Sequence, residues 1–295
     1  MVFVRMTSLL AALALLRPGV SLGLPSASAL PARVHPGEAF LVLVRGAKDP
    51  PRAEIFGRAL AFFAVRDGYA AVAALPVETP AGSRRERLLL AEGEGGPSSL
   101  ELELEVLPEH FQREQIEVDQ GFVAPHPPEV ERRIAADRAA LATAFAQPAA
   151  APIFTGAFAL PRKDRITGRF GVERILNGVK ASQHYGLDLA GKVGDRVAAA
   201  NAGKVVLVRD CWASGMTIVL FHGAGLYSTY LHLSRALVEE GVGVTRGQPI
   251  GLVGKSGRVS GPHLHWGVKV NDLYVDPESV LRLDFRVARP VAALR

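Results

Sequence analysis

Three short motifs carry most of the chemistry in this chain: His184-Tyr185-Gly186-Leu187-Asp188, Tyr230-Leu231-His232 and Ser260-Gly261-Pro262-His263-Leu264-His265-Trp266. They hold four of the eight histidines and one aspartate. Imidazole and carboxylate are ligand types of a catalytic zinc, which takes three protein ligands and keeps one position open for water. Five such groups leave two over for acid–base work. Zinc lowers the pKa of a bound water to about 7 and polarises a carbonyl. A neighbouring imidazole can carry the water's proton to a leaving amine or stabilise an oxyanion. Such a set has the parts needed for amide hydrolysis.

Each motif makes a demand on the backbone. On a strand, His263 and His265 point to the same face, about 6.6 Å apart at ~3.3 Å rise per residue. Leu264 then points into the core. His184 and Asp188 would lie ~13 Å apart on a straight strand, too far for one zinc with ligand atoms at ~2.0–2.2 Å. Gly186 and Gly191 argue for a bent loop-to-strand segment between them. His232 is expected to end a strand over Tyr227 to Leu231, where a side chain can project from a rigid element. His222 ends another and is assigned a structural role, bonded to the neighbouring turn. His35, His110 and His126 carry no motif.

Around the motifs the chain reads as mainly β. Residues 153–285 show strand candidates at Lys204 to Arg209, Thr217 to His222, Tyr227 to Leu231, Pro249 to Val253 and His263 to Val270, with glycine-bearing turns between. Short strands at that spacing indicate an antiparallel sheet or barrel. Ser234 to Glu240 is the one stretch expected to form a helical turn. Residues 30–107 read as a small sandwich-like β domain. Its strand candidates are Ala39 to Val44, Ala59 to Val65, Tyr69 to Leu75 and the strictly alternating Ser99 to Val106, with Pro80 to Ser83 as a loop. Residues 108–152 read as a connector, extended and proline-rich and then helical over Glu129 to Phe145. Residues 286–295 form a C-terminal tail.

The first 29 residues have the pattern of a secretory signal: Arg5, an apolar core over Thr7 to Leu16, and Ala27-Ser28-Ala29 as a cleavage site. That core is too short to span a bilayer, so no membrane span is expected once it is removed. The single cysteine, Cys211, excludes an intramolecular disulfide and any multi-cysteine metal site. It is expected to be a buried thiol rather than a nucleophile. A net charge of +5 favours acidic partners. No basic run interleaved with aromatics points to nucleic acid.

His-x-x-x-Asp, Tyr-x-His and Gly-Pro-His-x-His, with Arg169-Phe170-Gly171, Leu176-Asn177-Gly178 and Val242 to Gly251, resemble the zinc peptidases of the lysostaphin and LytM type, the M23 family, over about 165–277. The connector and the β domain before it resemble those of secreted Gram-negative members. The resemblance implies an antiparallel β core with a groove across it and one zinc ion held by His184, Asp188 and His265. It implies His263 as general base and His232 as a group polarising or stabilising the tetrahedral intermediate, with the proton carrier between these two left open. Tyr230, Asn177 and Trp212 are candidates for lining the substrate groove, Trp212 equally for capping the core. The implied activity is endopeptidase cleavage of peptidoglycan cross-links in the periplasm, between D-alanine and a diamino acid. The alternative is a non-catalytic wall-binding regulator of other wall hydrolases, which would not need the full ligand set. Oligomeric state and the effect of residues 30–150 on access to the groove are left open.

Overall fold

A computed structural model describes residues 24–90, 99–109, 111–117, 125–148 and 150–291. Its first part is two β-sheets packed face to face. One has the order Ser26–Leu30, Ala39–Arg45, Gly68–Ala74, Phe63–Val65; the other joins Arg33–Val34, Ser99–Val106, Gly82–Leu89, Arg52–Ile55 and Arg58–Ala59. Ser99–Val106 behaves as its alternation predicts. Leu100, Leu102, Leu104 and Val106 are buried against Phe40, Val42 and Val44, while Glu101, Glu103 and Glu105 face water. The exposed face carries cross-strand pairs such as Arg85 with Glu103 at 3.3 Å. The Gly82–Leu89 strand replaces part of the loop expected over Pro80 to Ser83.

Ala39–Arg45 does not alternate, and the structure gives the reason. Phe40, Val42 and Val44 point into the sandwich, whereas Ala39, Leu41 and Leu43 point the other way into a second, larger core. A strand covered on both faces reads as a continuous apolar run. The second core also contains Phe63, Val72, Phe154, Phe158, Phe285 and the interior of the sheet that carries the histidines. Hydrogen bonds cross the same joint, among them Ala39 N–H to Ser279 Oγ at 2.9 Å and Asp276 N–H to Gly37 O at 2.7 Å.

Ser26–Leu30 pairs along five residues with Ala39–Arg45, and Ala29 is buried. Cleavage after Ala29, the boundary expected from sequence, would strip away this edge strand. Arg5 and Thr7 to Leu16 lie outside the described residues, as does His110. Among the described residues, no helix is long and apolar enough to cross a membrane.

The histidine-bearing sheet has ten strands, with Leu226–Ala236 at its centre between His263–Val270 and Gly215–Phe221. Beyond His263–Val270 lies Leu187–Ala190, and beyond Gly215–Phe221 lies Gly203–Cys211. The helical turn expected over Ser234 to Glu240 is not there. The strand bulges at His232, the register shifts between Leu233 and Arg235, and residues through Ala236 pair with Pro249–Val253. Pairing to an available sheet neighbour outweighs a weak local helical preference. One helix that sequence reading did not place runs over Pro277–Arg282. Its signal was present in Asp276-Pro277, where the aspartate caps Glu278 N–H and proline fills the first turn.

The connector contributes two elements. Pro128–Phe145 is an α-helix laid on Gly203–Cys211. Its buried Asp137 accepts from Arg209 Nε and Trp212 N–H, both at 2.7 Å. Arg113–Ile116 is a short strand parallel to Glu173–Leu176, which turns back antiparallel into Val179–Gln183. This three-stranded sheet was not expected, and it stands beside the histidines.

Candidate metal centre

Asp188 and His265 are register partners on adjacent strands, as are Leu187 with Trp266, Leu189 with Leu264, and Ala190 with His263. Alternation sends Leu187, Leu189, Leu264 and Trp266 into the core, all 0% exposed, and leaves Asp188, His263 and His265 on the opposite face. His184 reaches them from the preceding bend, anchored by His184 N–H to Val172 O at 2.8 Å. The bend needs Gly186, because a Cβ there would lie 2.6 Å from His265 Nε2 and 2.7 Å from Trp266 O.

Three atoms then meet. His184 Nε2 lies 3.0 Å from Asp188 Oδ1 and 3.0 Å from His265 Nδ1, and His265 Nδ1 lies 2.9 Å from Asp188 Oδ1. His184 Nδ1 sits 2.7 Å from the carbonyl of Arg169, which only accepts, so Nδ1 carries the proton and Nε2 presents a lone pair. A lone pair, a carboxylate oxygen and a second imidazole nitrogen thus converge on one point, where a cation would find three donor atoms. Tetrahedral donors at ~2.0–2.2 Å from a zinc stand roughly 3.3–3.6 Å apart, close to the spacing seen. The backbone-bonded Nδ1 of His184 is also the arrangement that fixes a metal-ligating imidazole. The donor set therefore fits a divalent cation of the zinc type. Burial alone would raise the Asp188 carboxyl. The His184 and His265 rings set against it outweigh that and hold the group well below the ordinary carboxylate range.

The other two motif histidines flank this triangle. His263 Nε2 is 3.6 Å from Asp188 Oδ1, and its Nδ1 donates to Gly261 O at 2.9 Å. His232 Nδ1 donates to Ser256 O at 2.9 Å, with its ring 5.1 Å from that of His263 and 6.1 Å from that of His265. Both therefore present an unprotonated Nε2. Burial, reinforced by His265 and His263, pushes the His232 imidazole down to about 3. His232 lies within a strand rather than at its end, at φ +61°, a conformation uncommon outside glycine. The bulge turns its ring out of the regular alternation.

The cavity over the triangle is lined by all four histidines and Asp188, with Tyr185, Leu231, Ile116, Arg174, Arg258 and Tyr274 among its walls. Three sequence expectations are corrected here. Tyr230 is 0% exposed and accepts Ala200 N–H at 2.8 Å, so it is a core residue, not a groove residue. Its alternation partners on the strand, not Tyr230 itself, face the cavity. Asn177 lies at the turn between Glu173–Leu176 and Val179–Gln183, at φ +49° with its N–H on Ile116 O, and is not part of the lining. Trp212 packs edge-on against His126, 4.6 Å between centroids, and lines a neighbouring hollow under the connector helix. Cys211 is buried, and burial pushes its thiol up, away from thiolate reactivity.

Arg174 and Arg258 were missed. Arg174 Nη2 holds Asp188 Oδ2, leaving Oδ1 for the triangle. No local pattern signals Arg174, because its position depends on a hairpin that pairs with a distant segment.

His222 is placed as expected, away from this centre and fully buried. Its Nδ1 donates to Ala202 O at 2.7 Å and its Nε2 lies 2.7 Å from Ser228 Oγ, itself 3.0 Å from Tyr230 Oη. Burial pushes its pKa down to about 4 from 6.5. The unfolded chain therefore binds this proton first as pH falls. Stability contributed by neutral His222 is complete above pH 6.5 and is lost between 6.5 and about 4, amounting to about 3 kcal/mol at 1.36 kcal/mol per pH unit. A His222→Gln variant is expected to lose less stability than the wild type between pH 7.5 and 4.5 in urea titrations. Equal losses would show that His222 does not set the acid slope.

Residues 182–277 match the family model described as Peptidase family M23. The peptidoglycan DD-endopeptidase ShyA of Vibrio cholerae is 42% identical over 105 residues, covering 35% of this chain and 24% of ShyA. ShyB of the same organism, also described as a peptidoglycan DD-endopeptidase, is 34% identical over 139 residues, 47% of this chain and 29% of ShyB. The chain thus spans less than a third of the length of these curated relatives. A crystal structure described as a putative peptidase M23 from Pseudomonas aeruginosa superposes with a TM-score of 0.64 at 27% identity, covering 83% of this chain and 94% of that one. Residues 182–277 thus match peptidase family M23, within a fold shared along most of the chain with a structure described as a putative peptidase of that family.

Proposed function

We propose that this protein is a zinc-dependent endopeptidase that hydrolyses peptide cross-links of peptidoglycan, as a D,D-endopeptidase acting in the periplasm. The observation that carries the reading is the triangle of His184 Nε2, Asp188 Oδ1 and His265 Nδ1, flanked by two imidazoles whose Nε2 atoms are open. The peptidoglycan DD-endopeptidase activity by which ShyA and ShyB are described supports the substrate class.

His184, Asp188 and His265 would hold the ion, with Arg174 fixing the second carboxylate oxygen of Asp188. When bound, the ion supplies Lewis-acid polarisation of a carbonyl and acidification of a water. His263, kept in the Nδ1–H tautomer by Gly261 O, takes the water's proton at Nε2 and delivers it to the departing amine. His232, kept in the same tautomer by Ser256 O, stands at the opposite wall to stabilise the charge that develops on the carbonyl oxygen. That second role requires a proton on Nε2, which His232 would take up only as charge develops on the carbonyl oxygen, because burial otherwise keeps its ring neutral.

The test is a mass-spectrometric digest of purified cross-linked muropeptides by the full chain, with zinc and with chelator. Zinc-dependent conversion of dimers to monomers is expected. A zinc-loaded protein that leaves dimers intact would sink the reading. Export is part of the proposal: the pattern of Arg5 and Thr7 to Leu16 supports a signal peptide. The N-terminus of the exported protein, read by intact mass, is expected upstream of Ser26 so that the paired strand survives. A start after Ala29 would overturn that boundary.

A further inference from the structure

The wall of the metal cavity carries two guanidinium groups, and they are not equivalent. Arg174 is committed to Asp188 Oδ2. Arg258 also lines the cavity, is only partly exposed, and has no carboxylate within 4 Å and no side-chain hydrogen bond among the described residues. Two other arginines of the same sheet region that leave bulk water are answered by acids: Arg162 by Asp164 and Asp195, Arg209 by Asp137. Among the described residues Asp188 is the one acid lining the cavity, and Arg174 with the histidines already claims both its oxygens.

The base of Arg258 is fixed. Its N–H donates to Ala213 O at 2.7 Å, and the preceding Ser256 Oγ accepts Met216 N–H at 2.9 Å while donating to Leu233 O at 2.8 Å. Gly257 between them takes φ +72°, with a Cβ there only 2.4 Å from Gly215 N. A rigid loop thus holds an unanswered cation at the rim of the site. Burial and the nearby Arg174 charge both work against its protonated state, so an anion arriving there relieves an existing cost.

We propose that Arg258 binds a free carboxylate of the substrate beside the bond that is cut, which selects cross-links made on a diamino diacid. The inference rests on the peptidase reading above. In such a cross-link the acylated amine and a carboxylate share one carbon, so the carboxylate lies two bonds from the scissile nitrogen. A guanidinium fork matches that group bidentately. A cross-link made on the side-chain amine of a simple diamino acid lacks it, and an amidated one lacks its charge.

The experiment compares two cross-linked muropeptide dimers, identical except that the carboxylate beside the cross-linking amide is free or amidated. Both are digested by the zinc-loaded full chain and by its Arg258→Gln and Arg258→Lys variants. Wild type is expected to favour the free acid by about 10- to 100-fold in kcat/KM, the range of a charge-assisted hydrogen bond. Arg258→Gln should lose that factor on the free acid and none on the amide, with unchanged metal content. Arg258→Lys, a charge without the fork, should fall between them. Wild type cutting both dimers equally, or Arg258→Gln falling equally on both, would overturn the role of Arg258 while leaving the peptidase reading intact. Wild type that holds zinc and cuts neither dimer would overturn both. If Arg258→Gln does not fold, the wild-type preference and Arg258→Lys still decide.

Discussion

Replacing His265 by alanine is expected to abolish metal binding at stoichiometric zinc and to reduce muropeptide cleavage to background. His265 Nδ1 is one corner of a three-atom set whose sides are 2.9–3.0 Å, and no further His, Cys, Asp or Glu joins that cluster among the described residues. A catalytic zinc site has three protein ligands, so no spare donor compensates. His263→Ala and His232→Ala should behave differently. Their rings flank the triangle, so zinc content should hold while kcat falls about 10²- to 10⁴-fold, the range of general acid–base catalysis. Metal analysis run beside the digest separates the two classes. Full zinc in His265→Ala, or zinc loss in His263→Ala, would reverse the assignment of ligand and proton carrier.

Phe154→Ala is expected to cost about 3–5 kcal/mol, the usual range for emptying a buried phenylalanine site. Phe154 is 1% exposed and lies where the two β units meet. Its ring is 6.2 Å from Phe63, 5.8 Å from Phe158 and 4.9 Å from Phe285, in edge-on or tilted contacts. Because Ala39, Leu41, Leu43 and Val72 share that core with Phe154 and the histidine-bearing sheet, the whole chain should unfold in one transition that the substitution shifts. Denaturant titration followed by tryptophan fluorescence and by circular dichroism reads this directly. Two separated transitions, or a cost under about 1 kcal/mol, would show that the joint is not cooperative. The same core makes a fragment starting near residue 153 a poor surrogate for the enzyme, because it would expose the apolar faces of Phe154, Phe158 and Phe285.

Sequence reading went furthest where the signal is local. Ser99–Val106, Pro249–Val253 and His263–Val270 appear with the expected limits, since period-2 alternation and bounding glycines act within one strand. The continuation of Leu226–Ala236 past His232 was not legible. A bulge depends on which strand lies alongside, and Pro249–Val253 is supplied from elsewhere in the chain. Tyr230 was named among the candidates for lining the groove. Ordinary alternation buries it, and the bulge alone brings His232 to the cavity side.

By itself the sequence determined the class of chemistry. His184, Asp188, His232, His263 and His265 stand in motifs whose residue types suit a metal and proton transfer, and His263-x-His265 places two imidazoles on one face of any strand. Only the tertiary structure decided how these groups are arranged. Register sets Asp188 opposite His265, the carbonyls of Arg169, Gly261 and Ser256 select each imidazole's tautomer, and a hairpin paired with Arg113–Ile116 brings Arg174 to Asp188. Apart from the local contact of His263 with the Gly261 carbonyl, these are contacts between segments separated along the chain. Local propensity carries no information about such pairings, because their energy exists only once both partners are in place.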